Sequence, residues 1–219
     1  MYILSNITKG EEFYLLFDMS LKEFLAKLSS NEPAPGGGSA AALAGSIAAS
    51  LGCMVTNLTI GKKKYEEVEE EMKNLKLKLE EYRDKFLQLM EEDAEAFNGV
   101  LEALKLPKST EDEKRVRNEK IQENTKKATL VPLEIAKDAL EVMELSGITI
   151  EKGYKMAKSD AAISLVMAKA AVDGGLYNVK INLPSIKDED FLRDINSQIE
   201  KIEGEANTLE LRLLSKANI

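Results

Sequence analysis

Asp93 sits where an apolar residue is expected. It falls on a stripe running Val68, Met72, Leu75, Leu79, Tyr82, Phe86, then Asp93, Phe97, Val100 and Leu104, with Leu89 and Met90 bridging. The spacings alternate three and four, as one face of a helix requires. An aspartate on such a face is desolvated, which raises its pKa and suits it to acid-base work. If the stripe instead drifts to Met90, Ala94, Phe97 and Leu101, Asp93 lies at its edge. Glu91, Glu92 and Glu95 read as a solvated face. A second chemical feature is Gly36-Gly37-Gly38-Ser39, opening a helix. Glycines beside free amide donors at a helix N-terminus suit a carboxylate or a flat ring, and a tight turn into a packed helix needs the same residues. The spacing matches G-x-G-x-x-A, but Pro33-Ala34-Pro35 precedes it instead of a strand, and no Lys-Ser/Thr follows, so neither dinucleotide nor Walker binding is implied. Lys62, Lys63 and Lys64 are the strongest local positive charge, in a place that also suits a helix C-terminus without any ligand. Ser159 and Asp160 read as a helix start, and Cys53 as a small buried residue.

The 219 residues contain no histidine and one cysteine, with a net charge of -8. The missing histidine removes Ser-His-Asp triads, Cys-His pairs and histidine metal sites, so no metal is expected. Acid-base chemistry falls to carboxylates, lysines, tyrosines, the thiol or water. The acidic balance speaks against nucleic acid and anionic membranes as partners. A lone cysteine permits no internal disulfide, which fits a reduced, cytoplasmic setting. No signal peptide is visible, and no run approaches the roughly 18 apolar residues of a membrane span.

The elements that must position these groups are helical. Residues 1–18 show no helical stripe and read as an extension to a domain covering 19–219. Ser20 and Glu23 form a capping box for a helix with Leu21, Phe24, Leu25 and Leu28 on its apolar face. From Ser39 to about Ile60 runs a helix of unusual make-up. Fifteen of the twenty residues from Ala34 to Cys53 are Gly, Ala or Ser. Leu43, Ile47, Leu51 and Met54 form a large ridge; Gly45, Ala48, Ala49 and Gly52 form a small face. The small face implies close approach of another backbone, in the core, at a subunit interface or against a ligand. Gly61 ends this helix, and long helices follow over about 65–104 and 111–145, with Pro132 expected to kink or divide the second. Gly147 and Gly153 bracket a connector. A helix from Ser159 is expected to break at Asp173-Gly174-Gly175, and Asn178 to Leu183 satisfies local strand rules. A final helix spans about 191–214. The expected fold is all-α, a single-domain bundle of long helices.

The order of Pro33 to Ala42, Met54 to Tyr65, Glu92-Asp93-Ala94-Glu95-Ala96-Phe97, Leu104 to Pro107, Val131-Pro132-Leu133, Ser159-Asp160 and Asn178 to Leu183 resembles the cyclodeaminase/cyclohydrolase family of folate enzymes. The resemblance covers about residue 19 to the C-terminus. It implies an all-helical homodimer that binds tetrahydrofolates and converts 5-formiminotetrahydrofolate to 5,10-methenyltetrahydrofolate with loss of ammonia. Asp93 holds the place of the family's catalytic aspartate, with Asp160 the next candidate acid or base. The resemblance and the chemistry of the substrate make Gly36, Gly37, Gly38, Ser39, Lys62, Lys63, Lys64, Ser159, Asn178 and Asn182 the candidate binding groups. No cofactor beyond the folate substrate is implied. Hydrolysis of the methenyl ring is an alternative within the family, and a non-catalytic folate-binding or scaffold dimer is an alternative outside it.

Overall fold

A computed structural model describes residues 15–217, among which six α-helices and short 3-10 turns form the fold and no strand occurs. Residues 1–14 of the expected extension lie outside the described residues. Its last part is docked: Leu16–Asp18 forms a 3-10 turn with Leu16 buried, and the Phe17 amide donates to the Glu91 carboxylate at 3.1 Å.

Helix α1 (Leu21–Leu28) starts at the expected capping box. The Glu23 amide donates to Ser20 Oγ, and the Ser20 amide to the Glu23 carboxylate. Of its expected apolar face only Phe24 is buried, while Leu21 and Leu25 face outward.

Helix α2 (Gly37–Thr59) is the central element and packs against α3 (Glu69–Lys105) and α5 (Lys158–Asn182). Its small face is the buried one. A methyl added at Gly45 would meet the Phe86 ring at 2.7 Å, and one at Gly52 would meet Leu79 at 2.9 Å. Of the large ridge, Ile47 and Met54 are exposed, as is Leu58 beyond it, while Leu43 packs against the core and Leu51 is half-buried. By length and composition alone α2 could cross a membrane, a property missed in reading the sequence, but most of it is buried in this bundle. Gly61, with φ of 76°, ends the helix in the left-handed region that glycine tolerates. A 3-10 turn over Lys63–Val68 then leads into α3, whose Met72, Leu75, Leu79, Phe86, Leu89 and Met90 are buried as the stripe requires, whereas past Asp93 the stripe comes to the surface, with Phe97 and Leu104 exposed.

Helix α4 (Glu111–Lys152) opens at a Thr110/Glu113 capping box and is not divided: Pro132 lies inside it. The expected connector between Gly147 and Gly153 is also helix. Gly147 instead makes room for Leu213, 2.8 Å from where its methyl would stand, and Gly153 is the C-cap. Asp173-Gly174-Gly175 does not interrupt α5. A methyl at Gly174 would stand 2.9 Å from Ala41, and one at Gly175 would stand 2.7 Å from the Pro132 carbonyl. These glycines let α2 and α4 approach α5, and helix continuity survives because packing outweighs their modest intrinsic cost. The strand expected over Asn178 to Leu183 is the last turn of α5 followed by a 3-10 turn. Of its β-branched residues Val179 is fully buried in the helix packing, while Ile181 is exposed. Helix α6 (Glu189–Ala217) closes the bundle over α4 and α5 with Ile195, Ile199, Ile202, Leu209 and Leu213.

Candidate functional site

The start of α2 meets the middle of α3 and the end of α5, and Asp93 lies at that junction. Gly36 caps α2 without a side chain, so no cap side chain serves the first amides of the helix. Gly38 stands directly on Asp93: a methyl there would fall 2.0 Å from Oδ1. No other residue could occupy this position with the carboxylate in place. Ser39 Oγ donates to Asp93 Oδ2 at 3.2 Å and to the Met90 carbonyl at 3.1 Å. Burial pushes the Asp93 pKa above its ordinary range, and the hydroxyl and amide of Ser39 oppose the shift without cancelling it. The expectation of a desolvated carboxylate at this point of the stripe therefore holds. Glu92, one residue away, is exposed.

A cavity of about 220 Å³ opens beside Asp93, lined by Gly36, Gly37, Gly38, Phe97, Asn178 and Asn182 among others. Among the described residues Asp93 is the only ionisable group lining it. Asn178 is placed by its own helix, its side-chain N–H donating to the Gly174 carbonyl at 2.8 Å. Asn182 owes its place to a proline. Pro132 has no N–H to offer the carbonyl of Ala128, four residues back, and the Asn182 carboxamide donates to that carbonyl at 2.9 Å. The Asn178 carboxamide commits an N–H to backbone, the Asn182 carboxamide donates to both the Ala128 and Asn178 carbonyls, and both side chains border the cavity. The result is one carboxylate, two amide side chains, helix-end amides and a Phe97 ring around a small, mostly apolar hollow. Such a set can hold a flat heterocycle, stabilise a cation and move a proton.

The remaining expected site residues lie elsewhere in the chain. α2 and α5 run antiparallel, Gly37 beside Asn178 at one end and Thr59 Oγ1 accepting from the Tyr154 amide at the other. Lys62, Lys63 and Lys64 follow the far end of α2, about 35 Å from the glycine turn by helix rise. Ser159 and Asp160 open α5 at that same end, about 27 Å along the helix from Asn178. There Lys62 lies 4.2 Å over the Tyr154 ring, and the lysines border a separate hollow with Tyr65, Tyr154 and Lys155. Neighbouring Glu69, Glu70 and Glu71 pair with Lys73 and Lys152 and not with this cluster. One chain therefore gathers Gly36, Gly37, Gly38, Ser39, Asp93, Asn178 and Asn182, and leaves Asp160, Ser159 and the lysines apart. Phe97, Ala128 and Ile181 line the cavity without having been singled out. Phe97 was legible, four residues after Asp93 on the same stripe; Ala128 and Ile181 carry no chemical signal.

Comparison with known proteins gives the chain's family. Residues 20–201 match the family model described as formiminotransferase-cyclodeaminase. A methenyltetrahydrofolate cyclohydrolase of Methylorubrum extorquens is 40% identical over 194 residues, 89% of this chain and 93% of that protein. A formimidoyltransferase-cyclodeaminase of Gallus gallus is 34% identical across 96% of this chain, which spans only 39% of that larger protein. The crystal structure of formiminotetrahydrofolate cyclodeaminase from Thermotoga maritima superposes with a TM-score of 0.84 at 31% identity, covering 93% of this chain and 98% of that one.

Proposed function

This chain belongs to the formiminotransferase-cyclodeaminase family, and from that membership we propose an enzyme of folate one-carbon conversion that closes 5-formiminotetrahydrofolate to 5,10-methenyltetrahydrofolate with release of ammonia. The observation that carries the assignment of the site is Asp93, a half-buried carboxylate with a raised pKa and, among the described residues, the only ionisable group at a cavity built on helix-end amides. The formimino group is a readily protonated amidine, and the methenyl product is a cation. A carboxylate beside them stabilises positive charge in a site where water does not screen it. N10 attacks the formimino carbon and the new C–N bond closes a five-membered ring. Asp93 accepts the proton that N10 gives up and returns it to the departing nitrogen, which leaves as ammonia when its C–N bond breaks. Asn178, Asn182 and Phe97 hold the ring system, and the lysine cluster serves the anionic glutamate tail. No cofactor beyond the folate is called for, and the protein works in the cytoplasm as a homodimer.

Cyclohydrolase activity is the second reading, favoured by likeness over nearly the whole length of the Methylorubrum enzyme. There water adds to the methenyl carbon and Asp93 takes a proton from it; the C–N5 bond then breaks as N5 gains a proton and the new C–O bond becomes the formyl carbonyl, leaving the 10-formyl compound and one released proton. Supplying 5-formimino-, 5,10-methenyl- and 10-formyltetrahydrofolate separately, while following methenyl absorbance and ammonia, separates the two. Methenyl formation with stoichiometric ammonia is the expected result. Loss of methenyl absorbance without ammonia assigns the hydrolase, and no change with any substrate overturns both.

A further inference from the structure

The two groups of expected site residues lie at opposite ends of one helix pair, and the surface between them is unusual. Along α2 the outward positions include Ile47, Met54 and Leu58, and along α5 Ile163 and Val166, each between 36% and 49% exposed. The α2 part of this face carries no charged residue. Two helices of 23 and 25 residues side by side span about 35 by 20 Å, or about 700 Å². That is close to the roughly 800 Å² per partner of a stable interface. A contiguous apolar face of this size is one that a second copy covers.

A two-fold axis in the plane of that face can run along the helices or across them. Along them, it would stack the lysine end of each copy on the lysine end of the other. Across them, near the middle of α2, it lays α2 antiparallel on its mate. Each lysine cluster then faces the cavity end of the other copy, where among the described residues Asp93 is the only charge lining the cavity and no cation lines it. Like charges are separated and unlike charges meet. The cavity itself points the same way, since about 220 Å³ is below the roughly 300–1,000 Å³ of a typical ligand site and suits a ring system without its tail.

We propose that the working site is shared between two copies. One contributes Gly36, Gly37, Gly38, Asp93, Asn178 and Asn182, and the other places Lys62, Lys63 and Lys64 at the mouth to receive the anionic tail. This rests on the folate reading, so the geometry is tested without turnover first. Positions 40 and 58 are five turns apart on the outward face of α2. In a Cys53→Ala background, the double variant Ala40→Cys/Leu58→Cys treated with a short bis-maleimide should give a covalent dimer, and Leu58→Cys alone should not. A covalent dimer from Leu58→Cys alone, or a monomer mass for the wild-type chain by light scattering, overturns the arrangement whatever the substrate.

Complementation then tests the sharing. Asp93→Asn and the triple variant Lys62→Glu/Lys63→Glu/Lys64→Glu are co-expressed with different tags and purified as mixed dimers. The triple variant alone should raise KM at least about tenfold, and each mixed dimer should recover one intact site of two, about half of wild-type turnover with wild-type KM. Mixed dimers no better than the separate variants, with the wild type active, overturn the shared site. An inactive wild type with the expected cross-linking overturns the folate reading instead.

Discussion

At the scale of single residues, Asp93 is held by opposing forces, and its titration shows which wins. Burial raises its pKa above the ordinary 3.8, and Ser39 pulls it down by less. The folded chain therefore binds this proton more tightly than the unfolded chain does. Stability from the site is present below pH 3.8 and is lost as pH rises through the raised value. Asp93→Asn should consequently melt at the same or a higher temperature than wild type at pH 7, with the advantage gone near pH 3; a lower Tm at pH 7 would mean the charge is a net stabiliser. Because the proposed chemistry uses the carboxylate, turnover should fall on the acid side with an apparent pKa above 3.8, seen in a pH profile of kcat. Asp93 was legible because a charged residue broke an apolar stripe, and Gly38 because glycines gathered at a helix start. Asn182 had no such signal from its own surroundings. Its partner is a carbonyl orphaned by a proline over fifty residues away, and no local pattern records that.

Among the elements, the small-residue face of α2 sets how near its neighbours can come. Gly45→Leu drives a side chain into Phe86 and Gly52→Leu into Leu79. Each should cost at least about 1–3 kcal/mol, read as a shift in denaturation midpoint. An unchanged midpoint would show that α3 can yield. Capping boxes and three-four periodicity made the helix starts legible, since both are encoded within a turn or two. Glycine was misread wherever its role is contact and not conformation. Gly147, Gly174 and Gly175 looked like breaks, yet each faces another element closely: Gly174 meets Ala41, Gly175 the Pro132 carbonyl, and Gly147 the more movable tip of Leu213. Distinguishing the two uses requires knowing what lies opposite. The Leu16 turn belongs here too: Leu16 is buried against the core, so Leu16→Ala should cost about 2 kcal/mol in the same measurement.

For the whole molecule, one-carbon conversion is proposed at one carboxylate in a bundle of long helices whose other acidic residues are mostly paired or solvated. An all-α bundle was legible from the periodicity, whereas the division of the candidate site between the two ends of α2 was not. That division depends on α2 and α5 running antiparallel, which no motif states. The most direct measurement is turnover of 5-formimino- and 5,10-methenyltetrahydrofolate by wild type, Asp93→Asn and Glu92→Gln, with folate binding and melting temperature recorded for each. Asp93→Asn should keep fold and binding while losing about 10²- to 10⁴-fold in kcat, the usual worth of general acid-base catalysis. Glu92→Gln, altering an exposed neighbour, should stay within a few-fold of wild type. Normal turnover by Asp93→Asn, or a dead Glu92→Gln beside it, would contradict the assignment of Asp93 as the proton carrier.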